Sequence, residues 1–376
     1  MTRPFTLLIK PAGPDCNIAC EYCFYACKSE LFEAGAHRMS EAVQEQLVKS
    51  YLGLRFGQSS FAWQGGEPTL MGLDFYKRLV ELQARYAVPG QVVTNALQTN
   101  GILLDEEWCK FLTQYKFLCG ISLDGPKRYH DHYRKNRAGN GTFDWVMQGI
   151  HNCRKYDTEF NILVLLNNIN VQHPDELFDF YTEMQIQYLQ FVPCVERGVD
   201  DPHKAAPYCI TPEEYGRFLC RIFDRWMDYG VQKLSIRLFD SILSYLMGGP
   251  PTECTFGRHC TDYIVIEHNG GAYCCDFYVT DQTRLGNILD APIEQLASSQ
   301  VKRDFARKKT QIHNKCLICR YLDICRGGCP KDRAMLTGTY KVPSYFCEGY
   351  KMFFAYALPR LHVIARDIQN GKYNHT

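Results

Sequence analysis

An α/β fold is predicted for this chain: a partial (β/α)6, TIM-like barrel followed by a smaller cysteine-rich domain carrying a β-hairpin and helices. Three observations predict it. Six short apolar strands alternate with helix-period segments through the first two-thirds of the sequence, the pattern of a parallel sheet with right-handed crossovers. The strands are nearly continuous in apolar residues, as in "FNILVLL", which suits burial on both faces. After "MGGPPTEC" the chain turns rich in cysteine and turn residues.

Taken in order, strands are expected at Thr6–Lys10, Ser59–Gln64, Gln91–Thr99, Phe117–Asp124, Glu159–Asn167 and Tyr188–Cys194. Helices are expected between them at Ser40–Leu54, Leu73–Tyr86, Asp105–Gln114, Phe143–Lys155 and Pro174–Met184. Thr211–Tyr229 reads as a helix opened by a Thr-Pro start. The domain boundary falls at Gly248, giving a barrel with linker helices over 1–248 and a second domain over 249–376. Within that domain, "TDYIVIEHNGGAYCCD" alternates around an Asn-Gly-Gly turn, a hairpin signal, and Phe346–Ile368 closes the chain as a helix.

With 376 residues and 46% hydrophobic content, the chain can bury a large core and a smaller one. Its 42 basic and 41 acidic residues leave a net charge of +1 and no run of one sign, so neither nucleic acid nor an anionic membrane is an expected partner. No apolar stretch approaches the roughly 20 residues needed to span a bilayer, and "MTRPFTLLIKPAG" does not read as a secretory signal. A cytoplasmic location is therefore expected, and with it reduced cysteines. Nineteen cysteines with Cys-x2-Cys spacings then point to metal or cluster ligation rather than disulfides.

The first chemistry-bearing motif is "CNIACEYCFY" after the first strand, where Cys16, Cys20 and Cys23 are spaced Cys-x3-Cys-x2-Cys. Four thiolates complete an iron–sulfur cube, so three leave one iron open to a small molecule. A zinc knuckle is the alternative, with Cys27 or His37 as the fourth ligand. Tyr22 precedes the third cysteine, and a Gly-Gly-Glu-Pro loop follows the second strand. In these features the chain resembles the radical S-adenosylmethionine (SAM) enzymes. The resemblance implies that SAM chelates the open iron through its amino and carboxylate groups, and that reductive cleavage releases a 5′-deoxyadenosyl radical. The cysteine loop, the Gly-Gly loop and Ser122 all follow strand C-termini, where sites in such folds collect.

A second constellation comprises Cys254, Cys260, Cys275, Cys316, Cys319, Cys325, Cys329 and Cys347. Its spacing, with Cys-x9-Gly-x4-Cys across the hairpin and then Cys-x2-Cys-x5-Cys-x3-Cys, supplies enough thiols for two fully ligated clusters, although paired structural zinc sites share the Cys-x2-Cys element. The arrangement resembles the SPASM extension of radical SAM enzymes. That resemblance assigns Cys254, Cys260, Cys275 and Cys329 to one auxiliary cluster and Cys316, Cys319, Cys325 and Cys347 to another, for three 4Fe-4S clusters in all. Cys275 is preferred over Cys274 because Gly-x4-Cys selects it and successive strand residues face opposite ways. The remaining cysteines, among them Cys27, Cys109, Cys119, Cys153, Cys194, Cys209 and Cys220, read as small core residues.

The stretches "LIKPAGPDCNIACEYCFY", "WQGGEPTL", "LQTNGILL", "SLDGP", "CCDFYV", "RLGNI" and "CRGGCPKDR" together resemble the anaerobic sulfatase-maturating enzymes over nearly the whole chain. The resemblance implies two-electron oxidation of a Ser or Cys in an unfolded sulfatase to Cα-formylglycine, by hydrogen abstraction at Cβ. It makes Asp276, next to Cys275, the base that takes the hydroxyl or thiol proton. It points to Tyr22, Gly66, Ser122, Arg134 and Val195 for SAM. Gly65 and Gly66 would admit the amino-acid end of the cofactor, Glu67 would support that loop, and Arg134 would pair with its carboxylate. Gln64 and Gln98, ending strands, could hold substrate or ribose.

The implied partners are an unfolded sulfatase polypeptide and an electron donor such as flavodoxin or ferredoxin, with the enzyme itself a monomer. Two other readings compete. A SPASM maturase that crosslinks or epimerises a ribosomal peptide shares the clusters, but would carry a peptide-recognition domain, which is not expected ahead of Thr6. A non-catalytic zinc scaffold would lack iron.

Overall fold

The computed structural model describes residues 3–372. Ten strands follow the chain as β1 (Thr6–Lys10), β2 (Gln58–Trp63), β3 (Val92–Thr99), β4 (Leu118–Ser122), β5 (Phe160–Leu166), β6 (Tyr188–Pro193), β7 (Ser235–Ile236), β8 (Tyr263–Glu267), β9 (Gly271–Tyr273) and β10 (Arg284–Asn287). The longer helices are α1 (Glu41–Leu52), α2 (Leu73–Tyr86), α3 (Glu106–Gln114), α4 (Lys127–Tyr133), α5 (Phe143–Lys155), α6 (Pro174–Glu183), α7 (Pro212–Tyr229), α8 (Arg237–Leu246), α9 (Gln300–Thr310) and α10 (Cys347–Gln369). The expected strand–helix alternation is present.

Boundaries differ from the sequence reading by a residue or two at most strand ends and at several helix ends. Ser40, Asp105 and Thr211 are extended N-caps rather than helical residues, and their side chains accept from Val43 N, Trp108 N and Glu214 N. Thr211 and Glu214 close a reciprocal capping box ahead of Pro212, which needs no amide donor in the first turn. Three helices, α4, α8 and α9, were not anticipated from the sequence.

The chain divides into two compact units: 1–122 with 130–160 and 261–306, and 123–129 with 161–260 and 307–376. In the first unit the strand order is β10-β9-β8-β1-β2-β3-β4. Strands β8, β1, β2, β3 and β4 run parallel, while β9 and β10 are antiparallel additions. The hairpin anticipated around Asn269 is β8–β9, but β8 also pairs in parallel with β1, from Thr6 opposite Tyr263 to Lys10 opposite Glu267. Leu7 and Ile9 are fully buried beneath this junction. Among the aromatic contacts of the unit, Phe61 stacks on Trp63 and Tyr51 meets Phe61 edge-on.

In the second unit β5, β6 and β7 are parallel. There α7 lies against α10 at a glycine crossing: a Cβ on Gly349 would come 2.3 Å from Pro212 O, and one on Gly216 would come 3.0 Å from Gly349 Cα. Phe223, Trp226, Phe239 and Phe353 pack together beside it. No helix among the described residues is long and apolar enough to cross a membrane.

Candidate functional site

The first unit carries the N-terminal cysteines in the loop after β1. That loop is laced to the segment after α4: Ala19 N donates to Lys135 O, Glu21 N to Tyr133 O, and the Arg137 guanidinium to Cys16 O. The lacing sets Arg134 beside Tyr22, whose hydroxyl accepts from Arg134 Nη1 at 2.9 Å. Burial pushes the Cys16 thiol up to about 11. A thiol in that state gives up its proton to a metal rather than to solvent, so ligation there is coupled to proton release.

The Gly-Gly-Glu loop after β2 clasps the same segment from the other side. Gly66 N donates to Gly13 O and Glu67 N to Asp15 O, and a Cβ on Gly66 would lie 2.0 Å from Asp15 O. Gly65 has φ +131°, a left-handed geometry that favours glycine. The demand for glycine at 66 thus comes at least from the protein's own backbone.

Glu67, fully buried, is a hub that accepts from Thr69 N, Thr69 Oγ1, Thr99 Oγ1 and Asn100 N at 2.6–3.0 Å. It ties the loop after β2 to the end of β3, a support role by contact. Replacing Glu67 with Ala strands these buried donors, and stability should fall by about 3 kcal/mol in denaturant unfolding. Ser122, ending β4, accepts from Gln98 Nε2 at 3.2 Å, so these two expected site residues meet at neighbouring strand ends.

Asp276 follows β9 in the same unit and is 9% exposed. Its Oδ1 accepts from Tyr263 OH at 3.1 Å, and its Oδ2 lies 3.5 Å from Gln64 Nε2 and 3.9 Å from Lys10 Nζ. The Tyr263 hydroxyl also sits 3.1 Å from Cys275 Sγ, itself 3.6 Å from Asp276 Oδ1. Cys274 points elsewhere, its sulfur 3.9 Å from Val301 O. The carboxylate and the Cys275 sulfur therefore share one hydroxyl, an arrangement that keeps a proton acceptor beside a candidate ligand.

Lys10, Tyr25, Tyr263 and Glu267 were not singled out from the sequence. Lys10 is 1% exposed, with its ammonium 4.6 Å from the Tyr25 ring centroid, and Tyr25 OH donates to Glu267 at 2.6 Å. Burial pulls the Lys10 ammonium down, against the charges of Asp276 and Glu267. Burial lifts the Glu267 carboxyl to about 7, partly offset by the Tyr25 bond. A signal was available: "TLLIK" and "YIVIE" are apolar strands that each end on a charge, and the charges are opposite.

The second unit holds Val195, Cys254, Cys260, Cys316, Cys319, Cys325, Cys329 and Cys347. Val195 is fully buried, and its carbonyl accepts from Lys331. Cys316, Cys319, Cys325 and Cys347 line one cavity of about 80 Å³, walled by Tyr350 and Phe354. These are the four thiols that the SPASM resemblance groups for one cluster, and burial raises Cys325 and takes Cys347 up to about 11. Burial also lifts the Cys329 thiol, and Cys254 is exposed. Four soft donors around one apolar-walled cavity fit an iron–sulfur cluster.

Among the described residues no disulfide forms, and no three His, Cys, Asp or Glu side chains close on a point able to hold a single ion. Of the cysteines read as core, Cys109, Cys119, Cys153, Cys194 and Cys209 are buried and Cys220 is partly so. Cys27 is the exception: it is exposed, because the turn after Cys23 runs along the surface.

Residues 11–181 match the radical SAM superfamily, and 254–320 match an iron–sulfur cluster-binding domain, SPASM. The chain is 37% identical to a serine-type anaerobic sulfatase-maturating enzyme of Bacteroides thetaiotaomicron, over 98% of this chain and 93% of that one. It is 38% identical to a cysteine-type anaerobic sulfatase-maturating enzyme of Clostridium perfringens, over 97% and 100%. Among solved structures, native anSMEcpe with bound AdoMet superposes with a TM-score of 0.90 at 37% identity, over 97% of this chain and 100% of that one. Streptococcus suis SuiB, at 18% identity and a TM-score of 0.65 over 91% and 76%, shares the fold.

Proposed function

Given that the chain belongs to the anaerobic sulfatase-maturating enzymes of the radical SAM superfamily, we propose that it oxidises a Ser or Cys of an unfolded sulfatase to Cα-formylglycine. When bound at the iron left open by Cys16, Cys20 and Cys23, SAM supplies the deoxyadenosyl radical that takes a hydrogen atom from the substrate Cβ. The protein's own residues do the rest. Asp276 accepts the hydroxyl or thiol proton, and an auxiliary cluster held by the second cysteine set would supply the acceptor for the second electron; the product is the aldehyde, or a thioaldehyde that water converts to it with release of hydrogen sulfide.

The observation that carries this reading is the placement of Asp276. The carboxylate is nearly buried, aimed by Tyr263 and Gln64, faced by the Lys10 ammonium, and 3.6 Å from the sulfur of Cys275. A proton acceptor then stands beside a candidate ligand of the electron acceptor, which suits loss of a proton from the substrate hydroxyl or thiol and of an electron from the adjoining carbon radical. Tyr22 and Arg134 would hold SAM on one side, with Gly66 and Ser122 adding contacts, and the family resemblance also assigns it Val195. Three 4Fe-4S clusters in all, a barrel over 1–248, an auxiliary-cluster domain over 249–376, a flavodoxin or ferredoxin as electron donor, and a monomeric cytoplasmic enzyme complete the proposal. An anSMEcpe structure with bound AdoMet and Cp18Cys peptide, TM-score 0.90, supports a peptide substrate.

The test is mass spectrometry of a Cys-x-Pro-x-Arg peptide and its Ser twin after anaerobic incubation with SAM and a reductant. The Ser peptide should lose two hydrogens. The Cys peptide should exchange sulfur for oxygen with the same loss. Deoxyadenosine formed with both peptides unchanged in mass would overturn the proposal.

A further inference from the structure

Two cations of the second unit are buried with carbonyl oxygens, rather than carboxylates, as their hydrogen-bond partners. Lys309, in the last turn of α9, is 1% exposed, and its ammonium donates to Thr255 O and Gly328 O, both at 2.6 Å. Arg333, 2% exposed, donates from Nε to Gly327 O at 2.8 Å and from its two terminal nitrogens to Gln311 O, Arg326 O and Gly328 O at 3.1–3.2 Å. Among the described residues neither forms an ion pair. Neighbouring Lys331 does, with Glu196 at 2.8 Å.

Lysine and arginine are almost never fully buried without an opposite charge, because carbonyl dipoles alone do not replace hydration. The turn is nonetheless built to keep them. Gly327 and Gly328 are both left-handed, at φ +76° and +72°, and a Cβ on Gly327 would lie 2.7 Å from the Arg333 guanidinium. Both cations converge on Gly328 O, next to Cys329. Arg333 also donates to Arg326 O and Gly327 O, so both cations are fixed on the turn that joins Cys325 to Cys329, with the partly buried Asp332 carboxylate next to Arg333 in sequence. Thiolates of that turn would supply the counter-charge that the carbonyls do not.

We propose that Lys309 and Arg333 are fixed counter-charges to the iron–sulfur centre of this unit, positioning residues that raise its reduction potential and so favour uptake of the substrate's second electron. A centre that gains an electron gains a negative charge, and a desolvated cation nearby favours the reduced form. Burial keeps that influence unscreened. The inference rests on the cluster reading of these cysteines, and iron analysis of the unaltered protein tests that reading separately.

The experiment is an anaerobic redox titration of the auxiliary EPR signals, with iron content measured on each sample. Lys309→Met and Arg333→Met should move the midpoint to more negative potential, while Lys309→Arg and Arg333→Lys stay close to the parent. Iron retained by the charge-keeping variants but lost from the methionine variants supports the same role. An unchanged midpoint at full iron content overturns the proposal, and so does equal iron loss in charge-keeping and charge-removing variants, which marks a purely structural contact. If the unaltered protein holds only the iron of its N-terminal cluster, the cluster reading itself fails.

Discussion

Cys20→Ala should abolish reductive cleavage of SAM while leaving the fold intact. Cys20 lies in a surface loop after β1, half-buried, with its carbonyl accepting from Cys23 N. A small side chain at that position leaves the lacing of the loop to Tyr133 and Lys135 unchanged, since backbone atoms make it. The proposed role belongs to its sulfur. Removing it leaves two thiolates for a cube that needs three, and about four iron atoms should be lost. Deoxyadenosine should fall to background in chromatography of the anaerobic reaction, with circular dichroism and auxiliary-cluster iron at parent levels. Cleavage at the parent rate would mean that the ligands lie elsewhere.

Asp276→Asn separates the two halves of the reaction. The amide has the same shape and can still accept from Tyr263, so the site stays packed, but it cannot take a proton. Hydrogen abstraction precedes that need, so deoxyadenosine should form at close to the parent rate. Aldehyde should drop by about 10²-fold or more, the usual contribution of a positioned general base. The substitution also leaves the buried Lys10 ammonium facing an amide in place of its carboxylate. Quantifying both products in one reaction checks the split, and parent-level aldehyde would remove Asp276 from its role.

Much of this was legible in the sequence because it is local. β1, α2 and α5 keep the bounds that periodicity predicts, since each is a run whose apolar spacing can be read without its partners. The cysteine clusters were legible for a similar reason: Cys16, Cys20 and Cys23 stand out by spacing, and Cys316, Cys319, Cys325 and Cys347, grouped by the SPASM resemblance, line one cavity.

What escaped depends on long-range pairing or on burial. Lys10 and Glu267 look like solvated charges ending strands until β1 and β8 pair and enclose both. Lys309 and Arg333 look like members of basic stretches, and nothing local reveals that their heads turn inward to carbonyls. The Gly-Gly loop was found, but the neighbour that requires glycine at 66, the Asp15 carbonyl, is visible only in three dimensions.

The parallel pairing of β1 with β8 has a consequence for biogenesis. β1 lies between β2 and β8, a strand synthesised long after it, so one side of it stays an open hydrogen-bonding edge through much of translation. Chains interrupted before Tyr263 should self-associate through that edge.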